Sequence, residues 1–293
     1  MTENTTVKTK AIKSSLTKRK FQKFCRNKMA VLCTFVLGLL VFACVFAPLL
    51  TPHDPGEINV MLKYADPSPE HPFGCDRMGR DLLARVLYGG RWSLFLGFAA
   101  SLSCNVVGMS IGMAAAYFGG KVDKALVSLS EITTLMPTTL ILILIGSMMK
   151  INIWTLLLFW TIFGWAGTMR STRSRVMSIR TEPFVESCVA NGISKTSIMF
   201  RHILPNTSGP FIVSITMNVA FWILAEAGLS YLGYGLDSSI PTWGNLMNAT
   251  KSFEQLTGEP IQWLIPGACI CILTICANFI GDGLQDAIDA TAR

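Results

Sequence analysis

Two carboxylates stand inside long apolar runs: Glu131, and Glu226 in the stretch Leu224-Ala225-Glu226-Ala227-Gly228. Ionisable groups in such runs turn toward the interior of a helix bundle. They serve an ion or proton pathway, or act as a hydrogen-bonded clasp between helices. For Glu226 the clasp is the simpler reading; Glu131 lies near the start of its helix, where its carboxylate reaches the interface. No other constellation offers reaction chemistry. The three histidines, His53, His71 and His202, are scattered and lack a carboxylate or cysteine at ligand spacing, so no metal site is expected. Gly119-Gly120-Lys121 is followed by Val122 and lacks the leading glycine of a phosphate loop, leaving no evident means of using ATP. Cys33, Cys44, Cys104, Cys269, Cys271 and Cys276 sit in apolar runs, where a free thiol behaves as a small hydrophobe. An enzyme would need a nucleophile, an acid–base pair or a metal cluster, and none is legible.

The elements that must position these groups are membrane helices. The 293 residues are 51% hydrophobic and only 15% charged, where a soluble domain carries about 25% charged residues. That deficit implies lipid-facing surface, and the high hydrophobicity excludes a disordered chain. A helix needs about 20 apolar residues to cross a bilayer. Six segments meet this: 30–50, 92–116, 125–149, 151–169, 208–232 and 261–280. The first is too long for the h-region of a cleaved signal peptide and reads as a stable span. The third and fourth predict a tight hairpin around Lys150–Asn152. Pro137 can kink the third, which suits a helix lining a passage, and Gly108-x-x-x-Gly112 permits close helix approach.

Charge sets the orientation. With the N-terminus inside, the inner segments hold 18 Lys/Arg and the outer ones 7, which places both termini in the cytoplasm. Much of the net charge of +7 comes from nine Lys/Arg in the first 28 residues, beside the first span. Such a basic tail attracts anionic membrane lipid. No recognition fold accompanies it, so no nucleic-acid role is expected. Phe21 and Phe24, among Lys20, Lys23 and Arg26, suit the headgroup layer.

Two connections are long and polar. In 51–91, five prolines from Pro52 to Pro72 keep the first half extended. Asp76 then caps a helix running to Tyr88, with Met78, Leu82, Val86 and Leu87 on one face and Arg77, Arg80 and Arg85 largely apart. This predicts an amphipathic helix at the outer interface, with Asp76, Arg80 and Asp81 as its candidate functional residues. In 170–207, Pro183 suits the first turn of a helix that Gly192 ends. Ser194 caps a second short helix, and Pro205 limits it. A helix–turn–helix should lie across the cytoplasmic ends of the spans.

This connection resembles the EAA loop of binding-protein-dependent ABC importer permeases. Its pattern is Glu-Ala-Ala, three residues, Gly, nine residues, then a hydrophobic residue, any residue and Leu-Pro. Glu186, Gly192, Leu204 and Pro205 fall on it; Ser187 and Cys188 replace the two alanines, Ala190 lies between, and His202 departs from the usual hydrophobic residue. The likeness runs over about residues 18–293, through His71-Pro-Phe-Gly-Cys-Asp76, Gly79-Arg80-Asp81-Leu82, Tyr117-Phe-Gly-Gly120, Ala225-Glu-Ala-Gly-Leu-Ser-Tyr-Leu-Gly233, Trp243-Gly-Asn245 and Gly281-Asp-Gly-Leu-Gln-Asp-Ala287. It points to the peptide/nickel group, and to the second of its two unlike permease subunits.

The resemblance implies an all-α polytopic fold like that of type I ABC importer permeases, with about six transmembrane helices and a cytoplasmic helix-turn-helix coupling loop. The parts are then a tail (1–29), a first span (30–50), an extracytoplasmic loop (51–91) and a permease core (92–293) containing the coupling loop 181–206. The implied partners are a sister permease subunit, two cytoplasmic ATP-binding subunits that hold ATP and Mg, and an extracytoplasmic solute-binding protein. No cofactor is expected in this chain. Glu186 would meet a basic residue in an ATPase cleft, while Glu226 and Pro137 would be structural or line the path. Peptides are the first choice of cargo, with nickel or a metal–metallophore complex second. An ion-coupled secondary transporter is the alternative class, and would need coupling ions at midplane sites. The expected location is a bacterial or archaeal cytoplasmic (inner) membrane.

Overall fold

The computed structural model describes residues 21–248 and 253–289. Most of the expected basic tail, including Lys20, lies outside the described residues. After a helical turn at 21–26, helix α1 spans Lys28–Val45, and the Asn27 side chain between them accepts the Ala30 amide at 3.2 Å. Helix α2 follows as Leu82–Phe118. Its 37 residues make it about 55 Å long at 1.5 Å per residue.

Helix α2 corrects the reading of the 51–91 connection. The expected interfacial helix and second span form one unbroken helix, and its cap is Asp81, whose Oδ1 accepts the Ala84 amide at 2.6 Å. Asp76 is already committed to a turn, where Oδ1 accepts from the amides of Met78 (2.7 Å) and Arg80 (3.1 Å). Arg85, expected on the polar face, is 3% exposed. Leu82, Val86 and Leu87 are buried beside it, so the first turns of α2 are core rather than interface.

The third and fourth expected spans are also remade. Helices α3 (Gly120–Leu135) and α4 (Thr138–Met148) meet at a bend of 64°, a break rather than a kink. Pro137 has no amide hydrogen to donate, and it holds Met136 extended (φ −72°, ψ 126°). Just before the break, the hydroxyls of Thr133 and Thr134 donate to the carbonyls of Leu129 and Ser130. Asn152 caps the next helix by accepting the Thr155 amide at 2.8 Å, so the hairpin turn falls where expected. That helix, α5 (Ile153–Gly164), is only 12 residues long, and α6 (Ala166–Arg180) continues after Trp165.

The rest comprises α7 (Pro183–Ala190), α8 (Lys195–Ile198), α9 (Leu204–Leu232), α10 (Trp243–Asn248) and, after a short helix at Phe253–Gly258, α11 (Ile261–Asp289). Among the described residues, four stretches are long and apolar enough to cross a membrane: Lys28–Val45, Leu82–Phe118, Gly209–Leu232 and Ile261–Ile288; the bent pair makes a fifth if it is one span. Among the described residues there is no strand, only an isolated bridge between Cys75 and Asp81. The chain is an all-α polytopic membrane protein.

Helix α2 is the axis of the bundle. Gly108 and Gly112 let it approach α6 so closely that an added Cβ would crowd the carbonyls of Trp165 and Met169. One core cluster joins α1, the start of α2, α9, α10 and α11 through Cys44, Leu82, Ile223, Trp243 and Leu273. A second joins α2 to α5 and α9 through Leu96, Leu156, Trp160 and Trp222. Just beyond the second cluster along α2 lies a polar node: fully buried Asn105 accepts on Oδ1 from Thr168 (3.1 Å) and from Ser214 of α9 (2.8 Å).

Candidate docking loop and the polar cluster at the opposite end

Helix α7 begins as its sequence requires, with Pro183 in its first turn, and ends in a Schellman motif. Gly192 has φ +70°. Its amide donates to Val189 O at 3.0 Å and the Ile193 amide to Cys188 O at 3.1 Å, so both orphan carbonyls are met. The Ser194 hydroxyl accepts the Ser197 amide at 3.4 Å, opening α8. Pro205 does not stop the second helix, contrary to expectation. Residues Met199–Ile203 form a π-helical segment in which the Leu204 amide pairs with Met199 O, and the helix runs on into α9. Widening the turn by one residue accommodates the proline's missing donor without ending the helix.

The loop has two chemically distinct faces. Val185 is buried, and with Ile198, Met199 and Ile203 it packs on Met109, Met113 and Ala116 of α2 and Val176 of α6. Cys188 and Leu204 pack against the same cluster. Phe184, Glu186, Ser187, Val189 and Ala190 are exposed, as is Pro205. Ser187 Oγ donates to Pro183 O at 3.0 Å, and Asn191 Nδ2 to Ser187 O at 2.7 Å, so these polar groups brace the short helix. Below it, Arg173 of α6 holds Asp123 of α3 through two bonds of 2.5 and 2.6 Å. The loop, α2, α3, α6 and α9 are thus joined at this end of the bundle.

Glu226 is 1% exposed, and its Oε1 accepts from the hydroxyls of Ser230 and Thr242, both at 2.7 Å. Thr242 Oγ1 in turn accepts the Asn245 amide at 3.1 Å, capping α10. The Trp243 amide donates to Ser93 Oγ at 3.1 Å and its indole to Val86 O at 3.0 Å. The carboxylate therefore clasps the end of α9 to the segment that α10 lays across α2. Pro137, by contrast, is exposed at the α3–α4 break.

At the end opposite the α7–α8 connection, Asp76 Oδ2 receives Arg80 Nε at 2.8 Å and Nη2 at 2.7 Å, and Arg85 Nε lies 3.5 Å away. Asp81 Oδ2 receives His71 Nδ1 at 2.8 Å. Burial, together with the Asp81 and Asp76 carboxylates, pushes the Cys75 thiol up, so it is a protonated packing group rather than a ready thiolate.

The structure corrects one further expectation here. His53 and His71 are not scattered: their ring centroids are 4.6 Å apart, and with Asp81 they form a group whose donor atoms all lie within 4.8 Å. A spacing of 18 and 10 residues carries no local ligand signal. The proline-rich connection folds back through backbone bonds such as Tyr64 N to Asp76 O and Cys75 N to Ala65 O, and this brings the three residues together. Asn105 was equally invisible, as one polar residue in an apolar run.

Comparison with known proteins gives a consistent result. Residues 108–293 match the family model described as binding-protein-dependent transport system inner membrane component. Residues 15–67 match that of the N-terminal TM domain of oligopeptide transport permease C. A putative peptide permease protein of Brucella ovis is 34% identical over 275 residues, covering 94% of this chain and 91% of the relative. The oligopeptide transport system permease protein of Bacillus subtilis is 31% identical, covering 95% of this chain and 91% of its own. The dipeptide transport system permease protein of Alkalihalophilus pseudofirmus is 34% identical, covering 92% and 88%.

Proposed function

The chain belongs to the family of inner membrane components of binding-protein-dependent transport systems, and on that premise we propose that it is a permease subunit for peptide import driven by ATP. The relatives named for oligopeptide and dipeptide transport supply the cargo class. The observation that carries the mechanism is the division of α7 into a face sealed in the bundle and an exposed face bearing Glu186.

In this reading the exposed face of α7 seats in a cleft on a separate cytoplasmic ATP-binding subunit, with Glu186 opposite a basic group. ATP and Mg are held there, and this chain contributes neither cofactor nor hydrolysis. Two such subunits, a sister permease and an extracytoplasmic solute-binding protein complete the machine. Both termini of this chain lie in the cytoplasm. When the ATP-binding subunits close, α7 moves with them. Val185 and its neighbours pass that displacement to α2 and α6, while the unbroken run from α8 into α9 passes it to a span. Helices tied at the Asn105 node then swing together, a rigid-body change between inward and outward access. Glu226 holds the far end of the same body together.

Purification of the tagged chain from its native membranes in gentle detergent tests the assembly. Recovery of a sister permease and one or two nucleotide-binding subunits is expected, and the chain coming out alone would overturn the proposal. Glu186→Lys should abolish uptake of labelled peptide and release the nucleotide-binding subunits at normal membrane abundance.

A further inference from the structure

We propose that His53 and His71, held in place by Asp81, form a site for one divalent transition-metal ion of the class that prefers imidazole, with zinc as the reference ion. Three separate pieces of the 51–91 connection meet there: the chain just after the first span, the turn at His71, and the cap of α2. The hydrogen bonds assign the tautomers. Asp81 is buried, its Oδ1 accepts the Ala84 amide, and its Oδ2 lies 2.8 Å from His71 Nδ1. The carboxylate accepts, so Nδ1 of the neutral ring carries the proton and Nε2 keeps its lone pair. A carboxylate behind a histidine in this way is the usual support of an imidazole metal ligand. His53 Nε2 lies 3.1 Å from the carbonyl oxygen of Glu70, which can only accept, so the proton is on Nε2 and the lone pair on Nδ1.

Each ring therefore keeps one nitrogen with a free lone pair; the rings pack 4.6 Å apart with their planes tilted by 32°, so a shared ion requires one ring to turn and bring the two lone pairs together. The rings open on a cavity of about 300 Å³ whose walls include Asp54 and Glu57 and, among the described residues, no Lys or Arg. That field favours a cation, and carboxylate or water oxygens complete a four-coordinate shell. Bound metal would cross-link residues 53 and 71 against the cap of α2. The inference stands independently of the transport reading, because it concerns a resident ion and not cargo.

Zinc titration of the purified full chain, with thiols blocked by N-ethylmaleimide, tests it against His53→Phe, which keeps the ring stacking. The wild type should bind one equivalent that the variant lacks or holds at least tenfold more weakly. Saturating zinc should also slow amide hydrogen exchange within residues 51–81 of the wild type. Equal stoichiometry and affinity in both proteins would overturn the site. If the variant does not fold, exchange in the wild type decides alone: unchanged exchange over 51–81 at saturating zinc would leave only a packed histidine pair.

Discussion

Glu226 and Asp76 are buried acids with opposite kinds of partner, and their substitutions separate accordingly. Glu226 is met by two hydroxyl donors and no cation among the described residues. Glutamine can accept both bonds through one oxygen, so Glu226→Gln should keep its melting temperature in detergent and its peptide uptake. Alanine leaves both hydroxyls without their acceptor, at about 1–3 kcal/mol, and should melt earlier. If Glu226→Gln folds normally but transports nothing, the carboxylate is part of the path. Asp76 instead sits between Arg80 and Arg85, the latter with a side chain only 4% exposed. Asp76→Leu strands that buried guanidinium at about 3–5 kcal/mol. We expect a marked drop in melting temperature, with Asp76→Asn less affected because it can still accept the amides of Met78 and Arg80.

Among the elements, α7 is the most economical to test, because one residue fixes its end. Gly192 has φ +70° with open space where a Cβ would go, so the cost of a side chain is purely conformational. For alanine that is about 1–2 kcal/mol, whereas proline cannot reach this φ and also loses the bond to Val189 O. Peptide uptake should fall from Gly192→Asn through Gly192→Ala to Gly192→Pro at constant membrane abundance. Equal uptake in all three would detach the turn from function. The proline signals of the neighbouring elements were legible as positions but not as outcomes. Pro137 breaks its helix at extended Met136, while Pro205 follows a π segment whose Ile203, like Leu204, packs on the bundle.

At the scale of the whole molecule, the charge asymmetry predicts the orientation. Cys25 is exposed near the start of the described chain, and Met61 is 92% exposed in the 51–91 connection. In right-side-out spheroplasts, a membrane-impermeant maleimide should label a Met61→Cys variant and leave Cys25 unlabelled until the membrane is opened. The reverse pattern would invert the topology and place α7 on the wrong side for an ATP-binding partner.

Several features followed from the sequence by itself. Apolar runs of about 20 residues read as helices in lipid, because a helix pairs its backbone polar groups within the segment and a barrel strand is only about half that length. Pro183 and Gly192 bounded α7 because first-turn and left-handed positions are local requirements. The spacing of Glu186, Gly192 and Leu204-Pro205 was legible only through its resemblance to the EAA pattern. Tertiary structure alone decided what depends on residues distant in the chain. It made Asp81 rather than Asp76 the cap of α2, because Asp76 was taken by its own turn and two arginines. It buried Arg85, joined α2, α6 and α9 through Asn105, and brought His53, His71 and Asp81 into one cluster. No local pattern encodes such meetings, since they arise from how a folded connection closes on itself.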